Sequence, residues 1–122
     1  MAQVTIYGGA TILPQYRNIL STTVHRCMVE VLQIAAEKRF HRFIPLTAEN
    51  FLYPEDKSER YTVIEIQFFT GRTAETKKRL LYQLMERIAT DVGISQQDLE
   101  IILIEIPPAH WAVRGKTGDE LT

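Results

Sequence analysis

The sequence predicts an α/β (α+β) fold: two consecutive βαβ units that join into one four-stranded sheet with two helices on one face. Three observations carry this. Extended apolar segments alternate with helical ones in the order strand–helix–strand, loop, strand–helix–strand. Corresponding elements of the two halves stand about 57–60 residues apart by direct counting. The chain has 122 residues, which suits one domain and is short for two. Residues 1–46 form the first unit, 47–60 a loop, 61–106 the second unit and 107–122 a C-terminal tail. Residue similarity between the halves is weak, so the repeat is one of architecture.

Val4 to Tyr7 reads as a short strand broken by Gly8 and Gly9. From Pro14 to about Lys38 the pattern is helical. Leu20, Val24, Cys27, Met28, Val31 and Ala35 recur at intervals of three and four and make one apolar face. Pro14 suits a first helical turn, where no amide donor is needed. Arg39 to Leu46 is extended, with Pro45 marking its end or a sheet edge. In Tyr61 to Phe69, Thr62, Ile64, Ile66 and Phe68 alternate with Val63, Glu65, Gln67 and Phe69, and both faces are apolar enough for a central strand. Gly71 ends it and Thr73 is placed to cap the second helix, with Glu75 in the first turn. Leu80, Leu81, Leu84, Met85 and Ile88 form that helix's apolar face, and Gly93 closes it. Leu99 to Ile106 is the last strand, stopped by Pro107 and Pro108. Strands flanking each helix should run parallel, joined by the usual crossover. Two helices cover one sheet face; the other, with apolar side chains, predicts a partner surface and hence an oligomer.

Composition narrows the function classes. Hydrophobic residues make up 45% and charged residues 24%, an ordinary globular balance. The net charge of −1 gives no general attraction to nucleic acid or to a membrane surface. No apolar run reaches the ~20 residues of a membrane span. Cys27 is the only cysteine, no secretory leader is visible, and a reduced cytoplasm is the expected compartment. The three histidines have no metal-ligand spacing and no cofactor motif occurs, so neither metal nor cofactor is expected.

The polar residues at strand ends and loops are the candidates for chemistry. Lys38, Arg39, His41 and Arg42 form a basic cluster suited to a carboxylate or phosphate, or simply the solvated start of a strand. Arg72, in Thr70-Gly-Arg-Thr73, stands where a strand ends and a helix begins, the usual ligand position of a βα unit. It is equally placed to anchor that loop. Trp111 walls a pocket or pins the tail, and Arg114 pairs with a carboxylate or lies in solvent. His25, beside the apolar stripe of the first helix, is a structural residue or a base.

Taken in order, Lys38-Arg-Phe-His-Arg-Phe-Ile-Pro-Leu46, Ser58-Glu-Arg-Tyr-Thr-Val-Ile-Glu-Ile66, Gly71-Arg72-Thr73 and Trp111-Ala-Val-Arg-Gly-Lys-Thr-Gly-Asp-Glu-Leu121 resemble the tautomerase superfamily across essentially the whole chain. Similarity is greatest to its members related to malonate semialdehyde decarboxylase and cis-3-chloroacrylic acid dehalogenase. The resemblance implies a homotrimer with sheets facing a central barrel, and a cofactor-independent site for a small 2-oxo or enol acid. It also implies an N-terminal proline, freed by Met removal, as base or acid, with arginines holding the substrate carboxylate. By this resemblance Arg72 matches the family's arginine, His25-Arg26 the dehalogenase's His-Arg pair and Trp111 the decarboxylase's tryptophan. Arg42 and Arg114 are further candidates for the carboxylate. The dehalogenase's second arginine falls near Phe69 and the decarboxylase's acidic residue near Phe40, so neither is kept. Ala2 takes the proline's place. Its amine is a base only if Met1 is removed; His41 and His25 are the other candidate bases. Two classes follow: an enzyme that tautomerises, hydrates or decarboxylates a small carboxylate, or a catalytically reduced trimeric binding protein.

Overall fold

The structure, a computed structural model, describes residues 2–121. Its order is β1 (Ala2–Gly9), α1 (Leu13–Leu32), β2 (His41–Leu46), β3 (Thr62–Phe69), α2 (Ala74–Asp91) and β4 (Leu99–Ile106), followed by a small hairpin of β5 (Ala112–Val113) and β6 (Lys116–Thr117). The four long strands form one sheet in the order β2-β1-β3-β4. β1 runs parallel to β2 and β3 parallel to β4, while the central pair β1 and β3 is antiparallel. The parallel crossovers and the central place of β3 agree with the alternation in the sequence. β2 is an edge strand, as Pro45 requires.

The core lies between the sheet and the helices. Val4, Ile6, Ile64, Ile66 and Phe68 point from the sheet onto Leu20, Val24 and Met28 of α1 and Leu80, Leu84 and Ile88 of α2, all with 1% exposure or less. Cys27 is buried in the same cluster, a small apolar core residue. Burying a side chain of this size is worth roughly 1.5–3 kcal/mol, so these residues dominate the stability.

Three local expectations need correction. β1 starts at Ala2 and runs through Gly8 and Gly9 instead of breaking there. Gly8 is part of the packing: a Cβ there would lie 3.1 Å from Leu13 Cδ1 and 3.4 Å from the Tyr16 hydroxyl. The first helix stops at Leu32, not near Lys38, because Gln33 turns left-handed at φ 58°. The uncovered sheet face is mixed rather than apolar. Gln3, Thr5, Glu65 and Gln67 lie on it beside Ile102 and Ile104, since they occupy the alternate positions of β1 and β3. The C-terminal tail is pinned through Trp111, one of the two roles expected of that residue. The Trp111 carbonyl accepts from Gly118 N at 2.7 Å, and Trp111 meets Phe69 edge-to-face at 5.3 Å. A Cβ on Gly118 would strike Pro108 O at 2.6 Å and Phe69 Cζ at 2.7 Å, so only glycine fits there.

The second helix begins as its sequence indicates. Thr73 is extended, and its hydroxyl accepts from Thr76 N at 3.1 Å. Gly71 just before it has φ 127°, a conformation that favours glycine.

Candidate active site

The start of β1, the end of α1 and the β3–α2 turn converge on one cavity of about 270 Å³. Ala2, Gln33, Ile34, Ala35, Lys38, Phe40 and Arg72 line it. Ala2 is there because β1 begins with it, paired with Phe68 of β3. Arg72 is there because β3 ends three residues earlier, at Phe69, and the Gly71 turn carries the chain past the sheet's end. The connector 33–40 supplies the remaining wall.

Arg72 is held in place from two sides. One Nη2 proton goes to the Leu32 carbonyl at 3.2 Å, one of the acceptors a helix leaves unpaired at its C-terminal end. The guanidinium also lies over the Phe68 ring at 5.5 Å, a cation–π contact. A guanidinium has five N–H donors in a fixed fork, so those not given to Leu32 remain for a ligand. Lys38 adds a second positive charge on an exposed wall. Ile34, Ala35 and Phe40 make the rest apolar. The lining thus sets two cations, Arg72 and Lys38, beside apolar surface from Ala2, Ile34, Ala35 and Phe40.

The other residues singled out in the sequence lie elsewhere. His41 is on β2, where its Nδ1 shares a 2.8 Å hydrogen bond with the Ser21 hydroxyl of α1. Burial, with His25 and Arg39 nearby, pulls its pKa down to about 4, so the ring is neutral near pH 7. His25 is buried in α1, and its Nε2 donates to the Ala36 carbonyl at 2.7 Å. The two rings meet edge-to-face at 5.8 Å. Neither lines the cavity at Ala2. Arg42 and Trp111 share a different cavity, of about 330 Å³, with Gln3, Gln67, Ile106 and His110. There Arg42 Nη1 donates to Gln3 Oε1 at 2.9 Å. Arg114 is exposed at the left-handed corner of the β5–β6 hairpin, φ 52°, and lines neither cavity. Met1 lies outside the described residues.

The structure thus brings Ala2 and Arg72 together. Gln33, Ile34 and Ala35 of the same cavity were not legible as site residues, because the apolar spacing of the first helix runs on to Ala35 in the sequence. Lys38 was visible only as one member of a basic run.

A family model described as "Tautomerase enzyme" matches residues 38–114, well over half of the chain. This chain belongs to the tautomerase family. A probable tautomerase of Ralstonia nicotianae is 32% identical over 53 residues, which cover 43% of this chain and 76% of that protein. Among solved structures, the FG41 malonate semialdehyde decarboxylase inhibited by 3-bromopropiolate superposes with a TM-score of 0.80 at 25% identity, over 90% of this chain and 87% of that one. A fused 4-OT solved as an asymmetric trimer shares the fold, with a TM-score of 0.82 at 22% identity over 96% of each chain. The matched segment of this tautomerase-family chain includes Lys38, Phe40 and Arg72 of the cavity. Among the described residues no helix is long and apolar enough to cross a membrane.

Proposed function

We propose that this tautomerase-family protein binds a small 2-oxo or enol carboxylic acid in the cavity at the start of β1 and catalyses its tautomerisation. One observation carries this reading: Ala2, which stands where the resemblance places the catalytic amine, shares a small cavity with Arg72 and Lys38. Arg72 takes the carboxylate through its forked donors, with Lys38 as a second cation. The Ala2 amine, free once Met1 is removed, accepts the proton of the enol oxygen and returns it to carbon. An α-amino group titrates near ~7.7–8.0 in general, so it is competent as a base close to neutral pH. Hydration or decarboxylation of a related acid would use the same anion holders. Assembly into a homotrimer in the cytoplasm belongs to this reading. It is supported by the incompletely polar sheet face and by the trimeric fused 4-OT that shares the fold. Light scattering giving about three times 14.1 kDa supports the trimer; a monomer mass at micromolar concentration rejects it.

A second reading is favoured by Ala2 itself. Its amine is primary, unlike proline's, and a member reduced to binding would keep Arg72 while losing turnover. Intact mass first establishes whether Met1 is gone. Tautomerisation of phenylpyruvate or 2-hydroxymuconate then decides. Turnover that Arg72→Gln lowers by ~10-fold or more, equivalent to ~1.4 kcal/mol, supports the enzyme. A free Ala2 amine with background turnover on several enol acids supports the binding protein. In that case Ala2→Pro, also with Met1 cleaved, shows whether the amine alone was lacking.

A further inference from the structure

We infer that the outer flank of α1 carries a second anion site, built for a hydrogen-phosphate group and separate from the cavity at Ala2. A cavity of about 390 Å³ opens there, lined by Thr22, His25, Arg26, Glu30, Ala36 and Arg39 among others. Three features of these side chains select the ligand.

The first is charge. Neither Arg26 nor Arg39 has an ion-pair partner among the described residues. Glu30, the carboxylate in the lining, is already engaged by Arg87 at 3.1 Å and by the Gln83 amide at 2.8 Å. The cavity therefore keeps two guanidinium groups whose charge the protein does not answer locally.

The second is an orphan atom. His25 is only 5% exposed, and its Nδ1 is buried with no hydrogen-bond partner. Nε2 donates to the Ala36 carbonyl, so in the tautomer that carries its proton there the acceptor of the ring is Nδ1. His41, the ring packed against it, has its own Nδ1 occupied by Ser21. A buried acceptor left unpaired is costly, and a ligand that donates to it removes that cost. Two arginines call for anionic oxygens, and Nδ1 calls for an O–H. Inorganic phosphate near neutral pH offers both on one group, whereas sulfate and a carboxylate have no O–H to give.

The third is position. The connector 33–40 walls both cavities: Gln33, Ile34, Ala35, Lys38 and Phe40 face the Ala2 cavity, and Ala36 and Arg39 face this one. A phosphate drawn to Arg39 would tighten the connector that also holds Lys38.

Isothermal titration of the full chain with inorganic phosphate and with sulfate, together with amide-shift mapping, tests the site. Saturable phosphate binding is expected, with shifts over residues 22–39, and sulfate should bind at least ~10-fold more weakly, about 1.4 kcal/mol. The exposed Arg26→Gln and Arg39→Gln substitutions should each weaken phosphate by several-fold, while Arg72→Gln leaves it unchanged. The inference is overturned by absence of saturable binding, by equal affinity for sulfate, or by loss of binding in Arg72→Gln but not in the other two. The last result would return the anion to the Ala2 cavity.

Discussion

The two βαβ halves differ most at the point where each chain leaves its helix. The connectors are nearly equal in length, residues 33–40 after α1 and 92–98 after α2. Both open with a left-handed residue close to the helix end, Gln33 at φ 58° and Gly93 at φ 83°. From there they diverge. The second is sealed: Ile94 is fully buried, and Asp98 accepts from the Ser58 amide at 2.7 Å and from the Ser58 hydroxyl. The first is open: Ile34 is half-buried, and its neighbours are exposed and line two cavities. One connector is packed into the core, and the other stays at the surface between two cavities. α1 is buried on more than its core stripe, through Ser21, Thr23 and His25, while α2 buries only Leu80, Leu84 and Ile88. Two of these are engaged from outside the helix, Ser21 by His41 of β2 and His25 by the Ala36 carbonyl of the connector.

The largest effect should come from the two isoleucines. Ile94→Ala should cost about 3 kcal/mol in urea denaturation, whereas Ile34→Ala should cost less than about 1.5 kcal/mol. Equal losses would mean that the first connector is as sealed as the second.

Asp98 sharpens the same contrast. Burial alone would raise its pKa, but the Ser58 hydroxyl and amide, with Lys57 and Ser95, outweigh this and hold the carboxyl below its usual range. Asp98→Ala should cost about 2 kcal/mol at pH 7, since charge-assisted hydrogen bonds to a buried group are lost.

In the first half, pH acts through His41. Its folded pKa of about 4 lies below the unfolded value of 6.5, so between these values the unfolded chain binds more protons. Stability is full above about pH 6.5 and falls as the pH drops towards 4. His41→Phe should flatten this part of the stability profile; an unchanged slope would place the titration on another group.

The smallest effects concern the helix exits. Gly93→Ala forces a side chain into left-handed backbone and should cost about 1 kcal/mol. Gln33→Gly relieves such strain and should stabilise by up to about 1 kcal/mol, while removing an amide from the cavity wall. Thermal melts that move in the same direction for both would contradict the contrast.

These exits also show what the sequence could disclose. Thr62 to Phe69 alternates cleanly, and Thr73 caps its helix through a local contact, so both are legible from neighbours alone. The end of α1 is not, because the left-handed residue is a glutamine and Ile34 and Ala35 prolong the apolar spacing. Misplacing that end hid most of the cavity wall. The place of Arg72, just past a strand end and just before a helix, was legible from the Gly71 break and the Thr73 cap, but its contact with the Leu32 carbonyl was not. The His25–His41 pair and the Trp111–Phe69 contact join residues far apart in the chain, and no local pattern announces them.

The central claim is that the cavity joining Ala2 to Arg72, rather than the one joining Arg42 to Trp111, receives the carboxylate. Equilibrium binding of a non-reacting acid such as 3-phenylpropionate, compared across wild type, Arg72→Gln and Arg42→Gln, tests it directly. The account predicts that Arg72→Gln weakens binding by ~10–100-fold, about 1.4–2.7 kcal/mol, and that Arg42→Gln leaves it within twofold. Loss in Arg42→Gln with Arg72→Gln unaffected would contradict it and move the site to the Trp111 cavity.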